Sequence, residues 1–216
     1  PVMLGTANVE MPEQTYYFVQ NGVFSTDEGA ELAAEQLKEK GLAGAVEISD
    51  KRSVFAGTAI NRDDALLISQ QLQAEGLEVY IKPYVLPAAS QIEWSEANGV
   101  AVERYLTGSR SLVAMLVSIS LQHLNETTPS PLSADQWKDL KAEHQLWTTA
   151  ASQALEQAPE SAKPLLQEMN AALNSAVVAI EQYYKKPSGA YMWQVQTAVT
   201  EHLIKQKEWL SEASLI

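Results

Sequence analysis

Hydrophobic and polar positions follow two different patterns along the chain, and the change occurs near residue 87. Before that point, short runs rich in β-branched and aromatic residues alternate with segments whose apolar positions recur at helical spacing. The pattern predicts six elements, in the order strand 16–22, helix 26–40, strand 45–49, strand 53–57, helix 62–75 and strand 78–82.

Both predicted helices have recognisable start and stop signals. Ser25 with Glu28 has the spacing of a capping box, and Asn61 is a favourable N-cap for the second helix. Gly41 and Gly76 follow the two helices where a left-handed C-terminal cap is expected. The resulting βαββαβ order predicts an α+β, ferredoxin-like domain.

The same region repeats itself at a spacing of 35 residues, which aligns Val19 with Val54 and Gly22 with Gly57. Two copies of one βαβ-like unit explain this similarity, and neither copy could bury its helix alone. We therefore expect the pair to form one domain.

After residue 87 the sequence predicts helices only. Four stretches, 92–125, 134–157, 163–185 and 190–212, are separated by proline-containing breaks, and Ser133 with Gln136 forms a second capping box. Short connections make neighbouring helices antiparallel, so this half is expected to be a four-helix bundle. The predicted organisation is a linker over 1–14, a domain over 15–85, a linker over 86–92 and the bundle over 93–216.

Charge and composition exclude several classes of function. The chain has 15 basic and 27 acidic residues, a net charge of −12, and no cysteine. A nucleic-acid binder must neutralise phosphates with Lys and Arg, so no nucleic-acid partner is expected. The absence of cysteine excludes disulfides, thiolate catalysis and cysteine-ligated zinc.

The sequence offers little basis for catalysis. His123, His144 and His202 lie on three different predicted helices, without a His-Glu-x-x-His motif. They could meet as a zinc site, but solvent-facing or hydrogen-bonded core histidines are the commoner outcome. We therefore predict no enzyme activity, no metal site and no cofactor.

The segment Tyr16–Phe24, Tyr-Tyr-Phe-Val-Gln-Asn-Gly-Val-Phe, resembles the opening strand of the SPOR (sporulation-related repeat) family. That family begins with an aromatic pair and Val-Gln-x-Gly-Ser-Phe, and its second signature, Val-x-x-Gly, is present as Val54 to Gly57. The match covers about residues 15–84. It implies a non-catalytic, extracytoplasmic module that binds the glycan strands of septal peptidoglycan stripped of stem peptides. A SPOR module followed by a helical tail is also similar in layout to the stage II sporulation protein B family.

Strand parity predicts where such a ligand would lie. Residues i and i+2 of a strand share a face, and two helices of a ferredoxin-like domain cover only one face of its sheet. The opposite face is expected to be open and to bind glycan through these residues: Tyr16, Phe18, Gln20, Lys51, Ser53, Phe55, Tyr80 and Lys82. Aromatic rings suit the CH-rich faces of sugars, and a carboxamide suits N-acetyl groups. The alternative is that the helical half, or Tyr16 and Tyr80 stacking together, covers this face.

One position departs from the family pattern. Ser53 stands where the family often has an arginine facing the glycan, and the neighbouring Arg52 has the opposite parity. Lys51 and Lys82 could replace the missing cation. We expect an extracytoplasmic, septal protein anchored by a transmembrane segment upstream of residue 1, with further septal or engulfment proteins as partners of the helical half. The rival hypothesis is a protein–protein adaptor whose sheet face and helices bind partner proteins.

Overall fold

The computed structural model describes residues 5–95 and 99–214. Within them the chain is an α+β protein with six helices and two antiparallel sheets. The elements in chain order are β1 Gly5–Met11, β2 Gln14–Phe24, α1 Asp27–Glu39, β3 Ala45–Ile48, β4 Arg52–Ala59, α2 Arg62–Ala74, β5 Tyr80–Leu86, β6 Ala89–Trp94, α3 Val100–Leu124, α4 Ala134–Gln157, α5 Lys163–Lys185 and α6 Gly189–Ala213.

The predicted βαββαβ order is observed from β2 to β5. These four strands form one sheet in the order β3-β4-β2-β5, and every neighbouring pair is antiparallel. Asn61 caps α2 by accepting a hydrogen bond from the backbone N–H of Asp64, and Gly41 and Gly76 both have positive φ. The cap of α1 was predicted one residue too early, because Thr26 rather than Ser25 accepts the N–H of Gly29.

The segments predicted as linkers are strands, which corrects the expected domain boundaries. Strand β1 pairs with β6, and this two-stranded sheet follows the β2–β5 ladder across a break at residues 12–13 and 87–88, which include Pro12 and Pro87. Alternate residues of β1 are buried, as expected for a strand with one covered face. The change of pattern near residue 87 was interpreted as the end of strand structure, but β6 follows Pro87 at Ala89–Trp94. Residues 1–4 of the predicted linker lie outside the described residues.

The helical half agrees with the predicted elements except at its start. Helix α3 begins at Val100 and not at residue 92, because β6 occupies the preceding segment; residues 96–98 lie outside the described part of the chain. The predicted capping box of Ser133 and Gln136 is present at the start of α4. Helix α3 packs against α4 and α6, and α5 packs against the same two helices, so the four form a closed bundle.

The two halves share one continuous hydrophobic core. Helix α6 belongs to the bundle and also packs against β3, β4 and β5, while α1 and α2 pack against the same sheet. Trp94 on β6 meets Trp209 on α6 with a ring-centroid distance of 6.3 Å. Consequently the sheet does not project from the bundle as a separate domain but is built into it.

Candidate functional site

The sheet face that was predicted to be open is largely covered, and α6 packs against its strands β3, β4 and β5. Phe18 is 0% exposed, and Tyr16, Ser53 and Phe55 are also buried. These four residues therefore cannot offer a surface on which a glycan could lie, and the prediction of an accessible aromatic platform is wrong for them. The alternative, in which the helical half covers the face, is what the structure contains.

An aromatic cluster fills the space beneath α6. The Phe18 ring stacks on Tyr84 at a centroid distance of 4.0 Å and meets Phe55 edge-on at 5.0 Å. The ammonium group of Lys207 on α6 lies 4.4 Å from the centroid of the Tyr84 ring. Such a cluster is a packed interface between sheet and helix, so substitutions of Phe18 and Phe55 test packing rather than ligand binding.

Tyr84 is the central residue of this cluster that sequence analysis missed, because the last strand was ended at residue 82. Its hydroxyl donates a hydrogen bond of 2.7 Å to the Glu47 carboxylate. Burial raises the pKa of Tyr84, and the negative charge of Glu47 adds to the effect. Tyr16 donates to the side-chain carbonyl of Gln14 at 3.0 Å, and burial raises its pKa to about 12 against a smaller opposing effect of Arg110. Both phenols are therefore neutral, hydrogen-bonded core groups at neutral pH.

Polar contacts fix α6 to strand β4. The backbone N–H of Thr58 donates to Gln196 Oε1 at 2.7 Å, and the hydroxyls of Thr58 and Thr200 are 2.7 Å apart. Gln196 in turn donates to the Ser120 hydroxyl on α3 at 2.8 Å. The β2–β4 register shifts next to Thr58, between Phe18 and Gln20, and this irregularity accompanies the side-chain acceptor at the Thr58 N–H. The contact between α6 and β4 thus combines apolar packing with specific hydrogen bonds.

Part of the predicted platform remains accessible at the β5 edge of the sheet. Gln20 is half-buried and lies directly opposite Tyr80, whose side chain is 57% exposed. Lys82, the next residue but one on β5, is exposed and lies opposite Phe18. Directly opposed residues of an antiparallel pair share a face, so Gln20, Tyr80 and Lys82 form one surface, here called the edge patch.

The remaining predicted cation does not join the edge patch. Lys51 is exposed and precedes β4, four positions before Phe55, the β4 partner of Gln20. At the ~3.3 Å rise of a strand, this separation is roughly 13 Å along the chain. Arg52 forms an ion pair with Asp27 at the start of α1. Of the predicted site residues, the structure therefore brings together Gln20, Tyr80 and Lys82, separates Lys51, and buries the other four.

Each of the three histidines has hydrogen-bond partners of its own in the helical half. His202 Nδ1 is 3.0 Å from the carbonyl oxygen of Met169, and burial lowers the pKa of His202 to about 4. His144 Nε2 is 2.8 Å from the amide oxygen of Asn174. His123 lies among Glu126, Ser130 and Tyr183. Across residues 5–95 and 99–214, no group of three or more His, Cys, Asp or Glu side chains has an arrangement that could hold a metal ion.

Comparisons with known proteins give no match: no protein-family model, no curated protein and no solved structure matches this chain. Within the described parts of the chain, none of the helices has the length and apolar character needed to cross a bilayer.

Proposed function

We propose that this chain is a non-catalytic module that binds the glycan strands of peptidoglycan, and that the edge patch is its contact surface. The proposal is supported by the SPOR resemblance of the first strand and by the strand order β3-β4-β2-β5, which is the ferredoxin-like order that the resemblance implies. The observation on which it depends most is that Gln20, Tyr80 and Lys82 lie together on one accessible surface.

Each member of the edge patch has a chemistry that suits a denuded glycan. The exposed Tyr80 ring can cover the CH-rich face of one sugar, and the Gln20 carboxamide can donate to and accept from an N-acetyl group. Lys82 can pair with a lactyl carboxylate in place of the arginine that Ser53 replaces. One ring instead of four offers a smaller contact, so a single site is expected to bind weakly and to need several copies for firm retention.

The proposed location follows from this ligand. A module of this kind acts outside the cytoplasm at the division or sporulation septum, held there by an anchor upstream. The helical half then connects it to further septal or engulfment proteins.

A protein–protein adaptor is the second candidate function, and one observation favours it. Tyr16, Phe18 and Phe55 are buried, and α6 packs against β3, β4 and β5, so most of the surface that resembles a glycan platform is used inside the molecule. In that case the exposed surfaces bind proteins, and the SPOR-like strand serves the fold only.

Retention on purified sacculi separates the two candidates. Wild-type protein should be retained more on amidase-stripped than on intact sacculi, and Tyr80→Ala or Lys82→Glu should weaken retention on stripped sacculi roughly tenfold, equivalent to about 1.4 kcal/mol. Lys138→Glu, an exposed substitution on α4, is the matched control for charge. If the wild type and the three variants were retained equally on both kinds of sacculi, glycan binding through the edge patch would be rejected. The protein–protein adaptor would then be the remaining candidate function.

A further inference from the structure

A groove runs along the junction of the two halves, on the side of the molecule where strand β3 forms the edge of the sheet. Its central cavity, of about 450 Å³, lies between α1, β3, α5 and α6. A second cavity of about 510 Å³ shares Lys38, Ser175 and Glu201 with it, and a third of about 600 Å³ shares Val46 and Lys205. The second and third cavities therefore each adjoin the central one.

The floor of this groove is an edge strand. β3 pairs only with β4 among the described strands, so its outer side has no strand partner there. An edge strand presents a row of backbone N–H and C=O groups that can pair with an added strand. Gly44, just before β3, already donates its N–H to the Thr197 hydroxyl at 3.1 Å, which leaves the stretch from Ala45 to Ile48 as the edge available for pairing.

The walls of the central cavity are acidic above an apolar base. The base includes Ala34, Val46 and Ala172. The charged lining residues are Glu31, Glu35, Glu168, Glu201, Lys38 and Lys205. Both lysines are already engaged, since Lys38 pairs with Glu35 and Lys205 pairs with Glu168 and Glu208. Glu31 and Glu201 have no such ion pair within the described residues, so the groove has an excess of negative charge.

The pKa of Glu201 also reflects this excess of negative charge in the groove. It is accessible to solvent, yet loss of hydration at the cavity wall raises its pKa, with Lys38 opposing and Glu35 reinforcing the change. A cation entering the cavity would restore favourable interactions for this carboxylate.

From the free β3 edge, the apolar base and the acidic walls, we infer that the groove binds an extended, basic peptide segment of a partner protein by strand addition to β3. Main-chain hydrogen bonds to β3 supply part of the affinity, alternate apolar side chains face the base, and the Lys or Arg residues between them meet Glu31 and Glu201. Charge complementarity selects a basic segment over an acidic one. This inference goes beyond glycan binding and does not depend on it.

The test uses a fluorescently labelled eight-residue peptide of alternating Lys and Val, with binding followed by anisotropy at low ionic strength. Glu31→Lys with Glu201→Lys should weaken binding at least about tenfold. Asp139→Lys with Glu156→Lys, on the exposed side of α4, changes the net charge equally and should weaken it less than about twofold. Equal loss in the two double variants would overturn the inference, because it would show attraction to the net charge alone.

Two further probes examine strand addition itself. A peptide N-methylated at alternate residues keeps its charge but lacks half of its backbone donors, and it should bind at least about tenfold more weakly. Equal binding of the methylated peptide would overturn pairing with β3. Lys82→Glu should leave peptide affinity within about twofold, so that failure of this inference and failure of glycan binding are measured separately.

Discussion

The burial of Phe18 gives a quantitative test of whether the sheet face is sealed by α6. Phe18 is 0% exposed and stacks on Tyr84. Replacing a buried Phe by Ala typically costs about 3–5 kcal/mol, of which the aromatic pair accounts for about 0.5–1.5 kcal/mol. Phe18→Leu preserves most of the volume and should cost about 1–1.5 kcal/mol. On an open face, the same changes would cost under about 0.5 kcal/mol.

The assay is urea unfolding followed by tryptophan fluorescence. Four of the five tryptophans lie on α4 and α6, and the fifth, Trp94, contacts Trp209 of α6. Since Phe18 is in the four-stranded sheet, fluorescence reports mainly the helical half of the molecule. Because the two halves share one core, the Phe18 variants should lower the free energy of unfolding obtained from the fluorescence transition by the amounts given above. Phe18→Leu keeps the test usable if Phe18→Ala does not fold.

Tyr80→Ala is the matched control, since Tyr80 is an aromatic residue of the same sheet face that remains 57% exposed. It should leave the midpoint nearly unchanged. A fluorescence transition that is the same for wild type, Phe18→Leu and Tyr80→Ala would refute the argument, because it would mean that α6 unfolds independently of the sheet it covers.

Two other predictions concern stability. The hydroxyl and the backbone N–H of Ser130 donate hydrogen bonds to the Glu126 carboxylate and lower its pKa from 4.5 to about 2. This carboxylate therefore stabilises the fold above about pH 4.5, and its contribution is lost as the pH falls towards 2. Glu126→Gln should therefore cost about 1–2 kcal/mol at pH 7 and almost nothing at pH 2 in thermal unfolding, whereas an equal cost at both pH values would contradict the assignment. A Cβ atom at Gly44 would lie 2.5 Å from the carbonyl oxygen of Ala34, so Gly44→Ala should lower the melting temperature by several degrees, and Gly189→Ala, which meets no atom within 4 Å, is the control.

The sequence predicted the elements well where local chemistry determines them. The N-cap at Asn61, the left-handed glycines and the capping box at Ser133 are short-range features, and each is present. The strands β1 and β6 were missed for a non-local reason. A proline between two strands and a proline after the last strand have the same local pattern, and only the pairing of β1 with β6 distinguishes them.

The covering of the sheet by α6 could not be predicted from strand parity. Parity correctly places Tyr16 and Phe18 on one face but does not reveal what lies above them. A signal was present in α6 itself, where Gln196, Thr200 and His202 are buried together with the apolar residues. A helix whose exposed positions are confined to a narrow stripe, as with Gln194, Glu201 and Glu208 here, must contact more than its own bundle. In the sequence, the buried polar residues of α6 resemble those of a solvent-exposed helix face. The signal can therefore be recognised only once their hydrogen-bond partners are known.

The arrangement of β2–β5 and β1–β6 as successive ladders of one two-stranded ribbon also has a mechanical consequence. Gly5 pairs with Trp94 at one end of this ribbon, Ser214 bridges to Ile92 beside it, and the edge patch lies at the other end. At ~3.3 Å per residue, the path from Tyr80 to Trp94 is roughly 45 Å. A force applied between Gly5 and Tyr80 would act along the strands, so the ladder hydrogen bonds would be loaded together in shear instead of being unzipped one after another.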